Sequence, residues 1–124
     1  LKGICGMGDM RDVHTARAKG DQKAQLAFEM LCHTIRKYVG AYCAILGRVD
    51  ALVFTAGIGE NDDIVRAEVC AGLEHMGIKI DAKENGTRKP GARAISTPDS
   101  TVPVLIIPTN EELQMAHEVK AVIA

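Results

Sequence analysis

The residues of this chain best suited to chemistry gather where two apolar runs end. Ala51-Leu52-Val53-Phe54-Thr55-Ala56 leads straight into Gly57-Ile58-Gly59-Glu60-Asn61, and Val102 to Ile107 leads into Pro108-Thr109-Asn110-Glu111-Glu112. In open α/β sheets, ligands sit beyond the carboxyl ends of such strands. Gly57 and Gly59 carry no Cβ, so backbone can approach a ligand closely and positive φ is permitted. The helix expected to follow would offer unpaired N–H groups suited to an anion such as phosphate. A tight turn with no ligand is an equal reading of the two glycines on pattern alone.

Two common phosphate-binding patterns are excluded. A dinucleotide fingerprint needs Gly or Ala three residues after the second glycine, where Asp62 stands, and no Gly-Lys-Ser or Gly-Lys-Thr forms a Walker A loop. Thr109 and Glu112 have the spacing of a Thr-x-x-Glu capping box, which gives Glu112 a structural role and leaves Glu111 without one. For Glu111 the plain alternative is a favourable charge at a helix N-terminus, worth ~0.3–1 kcal/mol. Arg11 could contact a nucleotide as a planar donor or pair on the surface with Asp9 or Asp12, and sequence alone favours the surface pair. His14, His33, His75 and His117 lie apart, without metal-ligand spacing, and read as structural or solvent-exposed.

The elements that position these residues follow from periodicity and caps. Asp9 to Lys19 allows a short helix ending at Gly20. Ala24, Phe28, Leu31, Ile35, Tyr38, Tyr42 and Ile45 share one helical face, predicting a long helix from about Asp21 to Leu46, closed by Gly47. The run Ala51 to Ala56 reads as a strand buried on both faces. Acidic residues from Glu60 to Asp63 open a helix whose apolar face is Val65, Val69, Leu73 and Met76, stopped by Gly77. Asp81 to Ala92 is expected to be a loop joining short strands at Ile78 to Ile80 and Ala94 to Thr97. A strand at Val102 to Ile107 then feeds a last helix with Leu113, Ala116, Val119 and Ile123 toward the core. The order predicts an α/β fold with helices packed on a sheet.

The chain has 124 residues, 47% of them hydrophobic and 25% charged, with a net charge of -1. That balance gives no electrostatic reason to expect nucleic acid or an anionic membrane as partner. Aromatic residues make up 3% and Trp is absent, so base-stacking platforms are scarce. The 4 cysteines form no Cys-x-x-Cys pair, which favours a reduced, cytoplasmic compartment. No stretch approaches the roughly 18 to 20 apolar residues of a membrane span. A start at Leu1, without initiator Met or signal peptide, suggests a fragment.

Thr55-Ala56-Gly57-Ile58-Gly59-Glu60-Asn61 resembles the adenosine motif of acetate kinases, and Pro108-Thr109-Asn110-Glu111-Glu112 resembles a motif near their C-terminus. Gly8-Asp9-Met10-Arg11-Asp12 is similar to the family's Asp-x-Arg segment, and Lys37 to Tyr42 to part of its long helix. The matching order and spacing span nearly the whole chain. The resemblance implies a ribonuclease H-like domain of the sugar kinase, Hsp70 and actin superfamily, here the C-terminal part (1–124) of a two-domain enzyme. It implies conversion of ATP and acetate to ADP and acetyl phosphate, with propionate or butyrate as alternative acids. Asp9, Met10, Arg11, Gly57, Ile58, Gly59, Glu60 and Asn61 would border the ATP/ADP site, and Glu111 would assist Mg²⁺. The family's acetate pocket and its catalytic groups lie upstream, so no catalytic residue is assigned here. A homodimer is implied as well. A non-catalytic nucleotide-binding module is the alternative from a different class, and a dinucleotide oxidoreductase is disfavoured by Asp62.

Overall fold

The computed structural model describes residues 1–123. Short α1 (Lys2–Cys5) and α2 (Met10–Ala18) lead into the long α3 (Gln22–Leu46), then β1 (Leu52–Phe54), α4 (Ala56–Asn61) and α5 (Asp63–Cys70). A 3₁₀ turn (Glu74–Met76), α6 (Ala82–Gly86), β2 (Arg93–Ala94), β3 (Val104–Ile106) and α7 (Glu111–Ile123) complete the described residues. The sheet is mixed and three-stranded, in the order β1-β3-β2. β1 runs parallel to β3, with Leu52 opposite Val104 and Phe54 opposite Ile106, and β2 is antiparallel to β3. This is the expected α/β arrangement of helices on a sheet.

Aspartates cap the starts of α2 and α3. Asp9 accepts the Arg11 N–H and Asp21 accepts those of Lys23 and Ala24, so each satisfies otherwise unpaired donors at a helix start. Gly47, at φ 69, ends α3 in a conformation that side chains disfavour. One core joins α2, α3, α5 and the sheet through Val13, Phe28, Cys32, Val65, Val69, Ile95 and Val104. Arg36 fastens α3 to α5 by donating to the carbonyls of Glu68 and Val69.

Several expectations are corrected. The Gly57 to Asn61 segment is not an open turn but the short helix α4, and a second helix begins after Asp62, whose backbone is extended and whose side-chain carboxylate caps α5 by accepting the Val65 N–H. α5 stops at Cys70 because Gly72, at φ 83, turns the chain before the 3₁₀ turn. The supposed loop from Asp81 to Ala92 contains α6, which Asp81 caps through the N–H groups of Lys83 and Glu84. Ile78 and Ile80 form only isolated bridges, to Val102 and Ser96. The outer half of α3 leaves the core, with Tyr38, Tyr42 and Ile45 exposed. Leu113, Val119 and Ile123 of α7 are likewise exposed, and no described residue of α7 is buried.

All four cysteines are free. Burial is the main force pushing the Cys32 and Cys70 thiols from 9.0 up to about 11. An acid whose pKa is raised by folding ionises first in the unfolded chain, so its contribution is complete below about pH 9 and lost as pH rises toward 11. The urea midpoint of the protein is expected to fall across that window, and less steeply in a Cys32→Ala, Cys70→Ala double variant. Parallel pH profiles for the two proteins would refute the assignment.

Candidate functional site

Asp9, Met10 and Arg11 wall one side of a cavity of about 560 Å³, and Gly57, Ile58 and Asn61 wall the other. Segments far apart in sequence thus face each other across a space within the range of small-molecule sites. Three hydrogen bonds and one strained residue set the wall formed by α4. Thr55 Oγ1 donates to the Ile107 carbonyl at 2.7 Å, tying the end of β1 to the end of β3. Glu60 Oε1 accepts from the Thr109 N–H at 2.9 Å, fixing α4 to the loop before α7. Asn61 Nδ2 donates back to the Gly57 carbonyl at 2.9 Å. The positive φ expected of a glycine falls instead on Ala56, at φ 58. A non-glycine residue there costs about 1–3 kcal/mol, and such strain gathers at ligand sites.

The two glycines have separate roles. A Cβ on Gly57 would meet nothing within 4 Å, so its bare backbone faces open space. A Cβ on Gly59 would lie 3.2 Å from the Phe54 carbonyl carbon, so this glycine lets α4 sit against β1. Gly59 does not border the Asp9 cavity, and Glu60 borders the neighbouring one with Arg66 and Arg88.

The opposite wall is placed by α2. Arg11 pairs with Asp9 on the surface, its side chain 90% exposed. That guanidinium holds the Asp9 carboxyl down at about 2 from 3.8, so the pair forms as pH rises through about 2 and is complete at neutrality. His14, read from sequence as structural or solvent-exposed, joins the two walls. Arg17 donates to His14 Nδ1 at 3.0 Å, and an arginine cannot accept, so Nε2 carries the proton and donates to Asp62 Oδ2 at 2.8 Å. Asp62 is also the cap of α5, so one carboxylate holds both segments. The signal was present in sequence: Met10, Val13, His14 and Arg17 share a stripe at helical spacing, and the first two are buried.

Glu111 lies in a third cleft with Ala56, Gly57, Thr109, Asn110 and Glu112, so Gly57 borders both this cleft and the Asp9 cavity. The Thr109–Glu112 capping box is not formed. Asn110 Oδ1 accepts the Leu113 N–H at 3.1 Å, making Asn110 the cap, while Thr109 is engaged by Glu60. Glu112 therefore has no capping role that separates it from Glu111. One or two cleft carboxylates suit Mg²⁺, which keeps several waters and takes substrate phosphates as ligands. No group of three or more His, Cys, Asp or Glu suited to a metal occurs among the described residues. Arg88, which sequence reasoning did not single out, borders the Asp9 cavity from the segment after α6.

The pattern of the Acetokinase family matches residues 1–117. The acetate kinase of Desulfovibrio desulfuricans is 73% identical over 117 residues, covering 94% of this chain and 29% of that protein. The crystal structure of Porphyromonas gingivalis acetate kinase superposes with a TM-score of 0.87 at 40% identity, covering 99% of this chain and 31% of its own. A propionate kinase from Francisella tularensis gives a TM-score of 0.84 at 40% identity, over 94% of this chain and 29% of its own. The chain spans about 29% of the length of the curated relatives it matches. Matched along nearly its whole length in sequence and in fold, the chain belongs to the acetokinase family.

Proposed function

We propose that this chain is the C-terminal, nucleotide-binding portion of an ATP-dependent acetate kinase, which interconverts ATP and acetate with ADP and acetyl phosphate. The observation that carries the reading is the convergence of Asp9, Met10 and Arg11 with Gly57, Ile58 and Asn61 on one cavity, with Gly57 shared by the Glu111 cleft. Met10 and Ile58 supply apolar surface for a base, while Arg11 and Asn61 supply donors. Gly57 lets the nucleotide pass close to backbone toward Glu111. Mg²⁺ neutralises charge on the transferred group when bound, and Glu111 is the side chain assigned to hold it. Gly59 and Glu60 act by fixing α4. Free cysteines favour a cytoplasmic setting. The exposed apolar residues of outer α3 are compatible with a homodimer or with cover by the remaining part of the enzyme. A propionate kinase is the second reading, favoured by the Francisella tularensis structure at the same identity as the acetate kinase structure.

Calorimetric titration of Mg-ADP into a full-length kinase carrying this segment tests the nucleotide site. In Gly57→Val the affinity is expected to fall about tenfold or more, equivalent to ~1.4 kcal/mol, with a thermal midpoint near wild type because a Cβ there meets nothing within 4 Å. Glu111→Gln is expected to weaken Mg-ADP and spare metal-free ADP, whereas Glu112→Gln leaves both unchanged. Equal effects of the two glutamates would sink the Glu111 assignment, and unaltered binding in Gly57→Val would sink the site.

A further inference from the structure

Arg66 is a charge on an apolar stripe. It sits on α5 beside Val65, Val69 and Cys70, is 2% exposed, and has no carboxylate at ion-pairing distance among the described residues. Burying a guanidinium without a countercharge is unfavourable unless its donors are satisfied. Each of its three nitrogens donates to a neutral oxygen. Nη1 donates to the Gly59 carbonyl at 2.8 Å, Nε to Asn85 Oδ1 at 2.7 Å and Nη2 to the Asn85 carbonyl at 2.8 Å. Asn85, itself buried, donates from Nδ2 to the Asp63 carbonyl at 2.9 Å, so α6 and the start of α5 anchor the guanidinium.

A core needing only volume here would take Met or Leu. The planar fork instead reaches the one carbonyl of α4 that lies between Ile58 and Glu60. Gly59 is simultaneously held against β1, since a Cβ there would lie 3.2 Å from the Phe54 carbonyl carbon. α4 is therefore gripped from two sides, by the backbone of β1 and by Arg66.

We propose that Arg66 is a positioning residue for the nucleotide: through the Gly59 carbonyl it fixes the rotation of α4, so that Gly57, Ile58 and Asn61 face the Asp9 cavity. The proposal rests on the nucleotide-site reading above and adds to it a residue that does not itself border that cavity. Lysine keeps the charge but is a single point donor and cannot reach the Gly59 carbonyl and both Asn85 oxygens together.

The test uses a full-length kinase carrying this segment, as wild type, Arg66→Lys and Asn85→Ala. Small displacements of positioning groups cost up to about a hundredfold, so KM for ATP and Kd for Mg-ADP are expected to rise about tenfold or more in both variants. KM for acetate is expected to stay within about twofold, because the loss is confined to the nucleotide wall. Discrimination between ATP and GTP is expected to narrow as α4 loses its fixed rotation. Should Arg66→Lys fold poorly, Asn85→Ala retains the arginine and still releases its anchor. Equal rises in both KM values, or a lowered thermal midpoint with KM for ATP unchanged, would assign Arg66 to the fold alone and overturn the proposal. Absence of Mg-ADP binding in the wild type would instead defeat the nucleotide site itself.

Discussion

The 124-residue chain alone, supplied with ATP, Mg²⁺, acetate and hydroxylamine, is expected to yield no acetyl hydroxamate above the uncatalysed background. Phosphoryl transfer depends on positioning the reactants and stabilising charge on the transferred group. Arg11, the cationic side chain within the motif segments, is engaged by Asp9 and 90% exposed. The guanidinium of Arg66 is directed into the interior, toward Gly59 and Asn85. These arrangements hold and orient; they do not surround a γ-phosphate. Removing one charge-stabilising group costs roughly 10²–10³ in rate, so lacking several should leave the chain more than ~10⁴-fold below a full-length kinase. Trapped product at a rate near that of the full-length enzyme would refute the division of labour proposed here. Binding of Mg-ADP without product would support it.

The sequence carried the skeleton clearly wherever one interaction decided the outcome. Asp9, Asp21 and Asp81 cap helices with their own side chains, although the helix after Asp81 was obscured by an Asn85-Gly86 pair that resembles a turn. That pair is helical because Asn85 is buried beneath Arg66, a tertiary contact stronger than the local turn preference. The faces of α3 and α7 show another limit. Tyr38, Tyr42 and Ile45 have the spacing of a buried stripe, as do Leu113 and Val119, yet all are exposed. Amphipathic spacing says that a face suits cover, not what covers it.

The candidate site was legible in unequal parts. The end of β1 announced itself through glycines following an apolar run, and Asp9 to Arg11 entered through resemblance, because a surface Asp–Arg pair has no distinctive chemistry of its own. Their convergence depends on His14, which no metal or catalytic spacing would select. Arg66 was visible in principle, as a charge between Val65 and Val69 on a stripe otherwise apolar. Glu111 and Glu112 show the reverse case. A capping box assigned them different roles on paper, and the Glu60–Thr109 contact removed the box by taking its threonine.

Phe28→Ala is expected to have the largest effect on stability and to carry a functional signature with it. Phe28 is 2% exposed at the junction of α2 and α3, with the Arg17 guanidinium 3.5 Å above its ring and the His14 ring 5.7 Å away at 60°. Deleting a buried Phe side chain costs about 3–5 kcal/mol, and loss of the cation–π contact adds about 0.5–2 kcal/mol. Set against the ~5–15 kcal/mol that holds a typical domain together, this is enough to unfold a marginal one, and a urea midpoint would register it. The same ring supports Arg17 and His14, and His14 in turn holds Asp62 at the cap of α5. Nucleotide affinity should therefore drop even where the variant remains folded, because Asp9 to Arg11 would no longer be registered against Gly57 to Asn61. Phe28→Leu separates the two effects: it refills most of the cavity but offers no ring, so stability should largely recover while nucleotide affinity stays low. If affinity returns with stability, the ring acts by volume alone, and His14 does not depend on it to join the two walls of the site.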